Sequence, residues 1–170
     1  RVNSIFGKAA MGLEYLFFKT GPLTMPPSQL GAFAKSDVTH KSANMEWHVQ
    51  PLSLDKFGDP LHTFNAITPS VCNLQPTSRG HVRLKSSNPR HAPAITLNYL
   101  STETDREIAV AGLRATRRIM AAKALARFEP DEWKPGTEFS TDDELTRIAG
   151  DLGTTIFHPV GTCKMGHDEL

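Results

Sequence analysis

The middle of the chain carries several short segments with the alternation of polar and apolar side chains that is typical of β-strands. In MEWHVQPL, Met45, Trp47 and Val49 alternate with polar residues, which is the period of two of a half-buried strand. HTFNAITPSVCNL and GHVRLKS behave similarly, and PTSRG between them has turn chemistry. Strands grouped in the middle, with helices around them, predict an antiparallel α+β domain, because a parallel sheet requires strands and helices that alternate.

Three helices are predicted around these strands. The first runs from about Ser4 to Lys19 and ends before Gly21-Pro22, where the chain cannot continue as a helix. The second and third begin with the capping boxes Thr104-x-x-Glu107 and Thr141-x-x-Glu144. GPLTMPPSQLGAF, after the first helix, is predicted to be a loop. The second helix is predicted to have an apolar stripe, formed by Ile108, Ala111, Ala115, Ile119 and Ala122. Its opposite face is predicted to be solvated and carries Arg114, Arg117 and Arg118.

Composition and charge argue against several kinds of partner. The 170 residues have a formal net charge of +1, with 39% hydrophobic and 22% charged residues, as in ordinary globular domains. This balance gives no reason to expect nucleic acid as a partner, and no apolar run reaches the roughly 20 residues of a membrane span. The N-terminus lacks the features of a signal peptide, and Cys72 and Cys163 are interpreted as free thiols, with one bridge left open. We therefore expect a cytoplasmic protein, and leave open a peripheral association with membranes.

The most reactive side chains are concentrated in TTIFHPVGTCKMGHDEL, at the end of the chain. Pro159 disfavours the α region for His158, so this histidine should be extended after a β-prone approach, and Gly161 permits a turn. A histidine at such a corner can act as a general base, since its ordinary pKa of about 6.5 is near working pH. From the residues alone, however, an isolated His-Pro pair is more commonly only a turn.

Metal binding and phosphate binding are not predicted. His158, Cys163 and His167 have no standard ligand spacing and no obvious fourth ligand. The chain also lacks G-x-G-x-x-G, G-x-x-x-x-G-K-S/T, H-E-x-x-H and C-x-x-C motifs, so it should hold no phosphate-bearing cofactor by a motif of its own. His48 can line a pocket, but a structural histidine is the simpler interpretation, and Ser78-Arg79-Gly80 is interpreted as a structural turn.

Four segments, taken in order from Gly21, resemble the C-terminal half of the glucose–methanol–choline (GMC) oxidoreductases. They are GPLTMPPSQLGAF, MEWHVQPL, PTSRGHVRLKSSNPRHAPAITLNYLSTETDREIAVAGLRATRRIM and HPVGTCKMG, the last of which is similar to the family's catalytic-histidine motif. Each is weak by itself, whereas the four in order are specific, and they are most similar in character to the choline and aryl-alcohol dehydrogenase-like branch.

The resemblance implies a flavoenzyme that oxidises alcohols. Residues 1–170 would be a fragment of the C-terminal substrate-binding domain, with about six antiparallel strands, helices on one side and an incomplete C-terminus. The domain that binds flavin adenine dinucleotide (FAD) would belong to the same polypeptide but be absent from this chain. His158 would be the general base, Trp47, His48 and Phe157 would contact a small alcohol, and Pro159, Val160 and Gly161 would contact the FAD.

The resemblance also implies that this chain alone is inactive and self-associates through surfaces that normally pack on the FAD domain. Two other functions remain open: a lyase of the hydroxynitrile lyase type, which keeps FAD without net redox chemistry, and a binding module without catalysis. The alcohol, the electron acceptor, the oligomeric state and the second catalytic residue, expected beyond Leu170, are not predicted.

Overall fold

The structure, a computed structural model, describes residues 4–56 and 58–167. The chain divides into two compact units, Arg1–Cys72 and Asn73–Leu170. No helix in the described ranges is both long and apolar enough to cross a bilayer. The helices are α1 (Ile5–Phe18), α2 (Glu103–Met120) and α3 (Asp142–Leu152), with short 3₁₀ turns at Pro22–Thr24 and Ala126–Phe128. The strands are β1 (Leu30–Ala34), β2 (Met45–Gln50), β3 (Thr68–Asn73), β4 (His81–Arg83) and β5 (Ala94–Thr96).

Helix α1 confirms the first predicted helix. Ser4 caps its N-terminus by accepting a 3.0 Å hydrogen bond from the Gly7 N–H. Lys19 ends it in the left-handed conformation (φ 54°), and its N–H donates to the Tyr15 carbonyl. The C-cap at Lys19 therefore lies two residues before Gly21, the residue expected to end the helix. Most apolar side chains of α1 are exposed, although Met11 is buried.

The first unit contains a three-stranded sheet in the order β1-β2-β3. β1 and β2 are antiparallel, with a register that runs from Leu30 opposite Val49 to Ala34 opposite Met45. The loop predicted for GPLTMPPSQLGAF is thus wrong at its end, which is β1. The segment LGAF has a weak strand signal of its own because it is short, exposed and contains glycine. Backbone pairing with β2 decides its conformation.

Buried Asn44 closes the connection between β1 and β2. Its backbone N–H donates to the Ala34 carbonyl, and its side-chain oxygen accepts from the Ser36 N–H at 2.8 Å. Its amide group also donates to Ser36 Oγ at 2.8 Å. Because every polar group of this side chain finds a partner, the amide can be buried. Met45 and Trp47, the buried apolar residues of β2, follow it in the chain.

The expected sheet of about six strands is wrong. The five strands in the described part of the chain form the three-stranded sheet and a separate two-stranded ribbon, in which β4 and β5 are antiparallel and His81 lies opposite Thr96. The ribbon is only three residue pairs long, since Gly80 precedes β4 and Pro93 precedes β5, and neither residue type extends a strand well. The α+β class, with helices and antiparallel strands, is confirmed.

Helices α2 and α3 form the core of the second unit around Ile108, Val110, Ala115 and the fully buried Leu145. The capping box of α3 is present as predicted, with Thr141 and Glu144 each bonding the other's backbone. The box predicted for α2 is wrong by two residues. Thr102, not Thr104, is the N-cap, and its hydroxyl accepts from the Asp105 N–H.

Arg117 departs from the solvated face predicted for α2. Its guanidinium forms a two-pronged ion pair with Glu132, with nitrogen–oxygen distances of 2.8 and 2.9 Å. It also donates to the carbonyls of Phe139 and Gly136. The hydrogen bonds that Arg117 donates to Glu132 raise the pKa of Arg117, so the charge holds the segment before α3 against α2. Arg118 is exposed, as predicted.

Candidate active site

His158 lies in an exposed segment without regular secondary structure that follows α3. The preceding residue, Phe157, is left-handed (φ 63°), which is unusual for a bulky side chain and replaces the extended approach expected from the sequence. Its N–H donates to Thr155 Oγ1 at 3.0 Å. Thr155 Oγ1 also accepts a 2.9 Å hydrogen bond from the Tyr99 hydroxyl. The Thr155 hydroxyl therefore fixes the backbone directly before the histidine.

Tyr99 is itself held by its two neighbours. Asn98 and Leu100 are both left-handed, with φ of 55° and 58°. The Asn98 amide donates to the Arg79 carbonyl at 2.9 Å, and the Leu100 carbonyl accepts from the Arg106 guanidinium at 3.0 Å. The bend of Asn-Tyr-Leu between β5 and α2 thus directs the Tyr99 hydroxyl towards the segment that carries His158.

A buried carboxylate, that of Asp105 in the first turn of α2, holds the turn before β4. Its Oδ1 accepts from the Thr77 N–H at 2.8 Å and from the Asn73 amide at 3.1 Å, and its Oδ2 accepts from the Ser78 N–H at 2.9 Å. Burial tends to raise the pKa of this carboxyl, but the hydrogen bonds from Ser78 and Thr77 outweigh it and lower the pKa. The sequence analysis missed Asp105, although an acid in the first turn of a helix is a recognised signal.

Gly80 ends that turn where two backbone segments approach closely. A Cβ at this position would lie 2.0 Å from the Thr96 carbonyl oxygen, so no other residue fits without a backbone shift. The structural interpretation of Ser78-Arg79-Gly80 is confirmed, since the Ser78 N–H bonds Asp105 and the Arg79 guanidinium donates to the carbonyls of Pro76 and Ser78.

The residues expected to contact FAD follow His158 directly. Pro159, Val160 and Gly161 are all exposed, and the Val160 side chain is 92% exposed. Gly161 has φ 98° with open space where a side chain would stand. A bare apolar side chain beside a glycine that presents its backbone suits the flat face of a ring system. None of these three residues carries a charged side chain that could pair with a phosphate group.

The other predicted site residues differ in exposure. Trp47 is 3% exposed and forms part of the core of the first unit. His48, which follows it in β2, has a side chain that is 42% exposed, with Nε2 3.2 Å from Glu46 Oε1 and Nδ1 3.5 Å from Ser28 Oγ. Phe157 is exposed in the second unit. Strand alternation therefore places Trp47 and His48 in different surroundings.

Metal-ligand side chains come together at a place that the sequence analysis did not consider. Among residues 4–56 and 58–167, Glu46, His48 and Cys72 form a group whose ligand atoms lie within 4.8 Å of one another. Burial, and then the neighbouring Glu46 carboxylate, raise the pKa of the Cys72 thiol. Cys163, in the segment of His158, is a free and exposed thiol.

An open cleft of about 380 Å³ lies between α2 and α3 and is lined mainly by charged side chains, among them Glu107, Arg114 and Asp143. None of the residues that the sequence singled out for catalysis or binding lines it. Its polar lining does not suit a ring system or a small alcohol, because such ligands are held mainly by apolar contacts. The candidate chemistry of this chain thus lies in the His158 segment.

Comparison with known proteins identifies the family of this chain. Residues 76–170, which include the Asp105 turn, Tyr99 and His158, match the family model described as GMC oxidoreductase. The chain is 36% identical over 160 residues to the oxygen-dependent choline dehydrogenase of Escherichia coli O139:H28, covering 94% of this chain and 29% of that protein. It is 36% identical over 166 residues to an alcohol dehydrogenase [acceptor] of Pseudomonas putida, covering 97% and 30%.

A solved structure is similar as well. The crystal structure of pyridoxine 4-oxidase from Mesorbium loti aligns with a TM-score of 0.74 and 26% identity, covering 84% of this chain and 28% of that one. The chain thus spans less than a third of the length of the proteins it matches. These relatives are oxidoreductases by name, and the family model covers more than half of the chain. The chain therefore belongs to the GMC oxidoreductase family and is similar to its choline and alcohol dehydrogenases.

Proposed function

We propose that residues 1–170 are the C-terminal substrate-binding part of an FAD-dependent enzyme that oxidises a CH–OH group to an aldehyde or ketone. The FAD-binding part lies elsewhere in the same polypeptide, and His158 is the general base. The observation that carries the proposal is the His-Pro-Val-Gly segment itself, an exposed histidine whose backbone is fixed through Thr155. Family membership and the names of the relatives support the reaction class.

The work of His158 is to accept the proton of the substrate hydroxyl. An alkoxide loses hydride from its carbon far more readily than the neutral alcohol does, so a positioned base accelerates the step by a factor of about 10² to 10⁴. The base must be neutral and must be held in place. The hydrogen bonds of the Thr155 hydroxyl to Tyr99 and to the Phe157 backbone serve the second requirement.

The residues after His158 suit a flavin ring better than a phosphate. Pro159 and Val160 offer an apolar surface, and Gly161 lets the backbone approach closely because it carries no side chain. When bound, FAD supplies the hydride acceptor. The phosphate-binding motif is expected in the other part of the polypeptide, and this chain alone is therefore inactive.

Three side chains are proposed to serve substrate binding: Trp47, His48 and Phe157. Phe157 is exposed beside the base, and His48 offers a partly exposed imidazole. Trp47 is buried in this chain, so its part is to support the strand that presents His48. The substrate is a small alcohol.

The test uses the full-length, FAD-containing protein. Its visible spectrum is followed anaerobically while a panel of primary and secondary alcohols is added to the wild type, to His158→Ala and to the control His167→Ala. We expect flavin bleaching in the wild type, the same rate within a factor of about three in His167→Ala, and a rate lower by about 10² to 10⁴ in His158→Ala.

The other outcomes separate the remaining functions. A bound flavin that no alcohol reduces would contradict the oxidation and favour a lyase that keeps FAD. A protein without flavin would leave a binding module. Equal rates in the two histidine variants would remove His158 from the role of base while leaving the reaction class intact.

A further inference from the structure

Glu46, His48 and Cys72 lie together on two neighbouring strands of the first unit. Glu46 and His48 are two residues apart in β2, so their side chains share one face of the strand. Cys72 is in β3, the next strand in the sheet. Their ligand atoms (carboxylate oxygen, imidazole nitrogen and thiol sulfur) lie within 4.8 Å of one another, and Nε2 of His48 is 3.2 Å from Oε1 of Glu46.

We propose that these three side chains form a binding site for a divalent cation of the zinc class. The inference does not depend on the proposed alcohol oxidation. Sulfur, nitrogen and oxygen donors in one set are those that Zn²⁺ accepts, whereas Mg²⁺ and Ca²⁺ require oxygen donors alone. Three protein ligands leave a fourth tetrahedral position for water or for an incoming ligand.

Electrostatics favour the cation. Without it, the Glu46 carboxylate, the Cys72 thiol and the His48 imidazole lie close together with no positive charge from a metal ion among them. A divalent ion between them would stabilise both the carboxylate and the thiolate, because metal binding displaces the thiol proton. The three residues are half-buried, so the ion has a path from solvent and is partly shielded from it.

The histidine is oriented for this role. Its Nε2 is turned towards Glu46, while its Nδ1 lies 3.5 Å from Ser28 Oγ on the other side of the ring. Metal-bound histidines usually donate their second ring nitrogen to a neighbouring oxygen, which fixes the tautomer. Ser28 is therefore a positioning residue, and Ser28→Ala should weaken the affinity about tenfold, the low end of the effect of losing such a partner.

The experiment uses the full-length protein, first stripped of metal with a chelator and then dialysed against Zn²⁺ alone. Bound zinc is quantified by elemental analysis, and its ligands are identified by X-ray absorption at the zinc edge, which the flavin does not disturb. We expect one zinc per chain, with a sulfur neighbour at about 2.3 Å and nitrogen or oxygen neighbours at about 2.0–2.2 Å.

Variants assign the ligands. Cys72→Ser should lose the sulfur neighbour, and His48→Gln should lower the affinity by more than about 100-fold, beyond the effect of losing a residue that only orients a ligand. Cys163→Ser is the matched control and should leave both the stoichiometry and the spectrum unchanged. Glu46→Gln provides a third, nearly isosteric ligand change. Circular dichroism of each variant distinguishes loss of the site from loss of the fold.

Three results would overturn the proposal. One is the absence of zinc after dialysis of the folded wild type. Another is a bound zinc surrounded only by nitrogen and oxygen. The third is a sulfur neighbour that persists in Cys72→Ser and disappears in Cys163→Ser, which would move the ion to the His158 segment.

Discussion

The Tyr99 hydroxyl donates a 2.9 Å hydrogen bond to Thr155 Oγ1, which joins residues 56 positions apart in the chain. The same oxygen accepts from the Phe157 N–H, so one hydroxyl links the bend before α2 to the segment of His158. Tyr99→Phe in the full-length enzyme should lower kcat by up to about tenfold, since a net hydrogen bond is worth about 0.5–1.5 kcal/mol. KM and the thermal midpoint should change little.

The comparison for this pair is a double-mutant cycle with Thr155→Val. If the hydrogen bond carries the effect, the double variant should have about the same kcat as Thr155→Val, because that substitution already removes the bond to Tyr99. Additive losses would show that the two residues act separately. An unchanged kcat in Tyr99→Phe would mean that the tyrosine does not position His158.

The carboxylate of Asp105 is expected to stabilise the fold. Asp105→Asn places an amide N–H₂ among the N–H donors of Thr77, Ser78 and Asn73, so at least one buried donor loses its acceptor. We expect a loss of about 1–3 kcal/mol in the free energy of unfolding, measured by urea denaturation. Glu103→Gln, at an exposed acid two residues earlier, should change it by less than about 0.5 kcal/mol. Similar losses in both would refute a specific role for Asp105.

Arg117 and Arg118 offer a matched pair on α2. Arg117→Met removes a two-pronged partner of Glu132 and two donors to backbone carbonyls. Breaking this part-buried network should lower the free energy of unfolding by about 1–3 kcal/mol. Arg118→Met changes an exposed side chain and should stay within about 0.5 kcal/mol. The measurement is the chemical-denaturation midpoint of each variant. Equal midpoints would contradict the structural role of Arg117.

The lowered pKa of the Glu144 carboxyl should make the stability of the fold depend on pH. Backbone N–H groups of Thr141 and Ser140 donate to its carboxylate and lower its pKa to about 2. Because the folded-state pKa lies below the ordinary value of 4.5, the contribution is complete above about pH 4.5 and is lost as the pH falls towards 2. The denaturation midpoint of Glu144→Gln should therefore lie below that of the wild type at pH 7, and the two should converge in this acidic window. A difference that is constant across that window would contradict the capping role.

The isolated chain should self-associate. Several large apolar side chains of α1 are more than half exposed, and exposed apolar surface favours association. We expect oligomers by light scattering and fewer of them in the double variant Phe6→Ser, Phe18→Ser. A monodisperse monomer at high concentration would refute the expectation. The most exposed of these side chains in α1 are Ile5, Phe6, Leu16, Phe17 and Phe18.

Local patterns predicted most of the elements. The N-cap Ser4, the capping box of Thr141 and Glu144, and the alternation in β2 depend on neighbours within a few residues, so the sequence shows them directly. The start of α2 was missed by two residues because Thr102 and Thr104 are both competent caps. Only the backbone geometry selects the first.

Features that depend on distant partners could not be predicted. β1 is a strand because β2 pairs with it, and Arg117 is paired because Glu132 folds back against α2. The candidate site also contains residues of both kinds, those that a local motif predicts and those that depend on distant partners. His158 carries a motif, whereas Thr155, Tyr99 and the group of Glu46, His48 and Cys72 are meaningful only after the chain has brought them together.

The bonds of Asp105 also bear on which parts of this chain move together. The amide protons of Thr77 and Ser78 point at one carboxylate that belongs to the first turn of α2. Neither proton can reach solvent while that carboxylate stays in place, so opening of the turn before β4 requires the start of α2 to loosen as well. Hydrogen exchange at these two amides should therefore report on a single opening event that spans a turn and a helix end, rather than on the fraying of a surface loop.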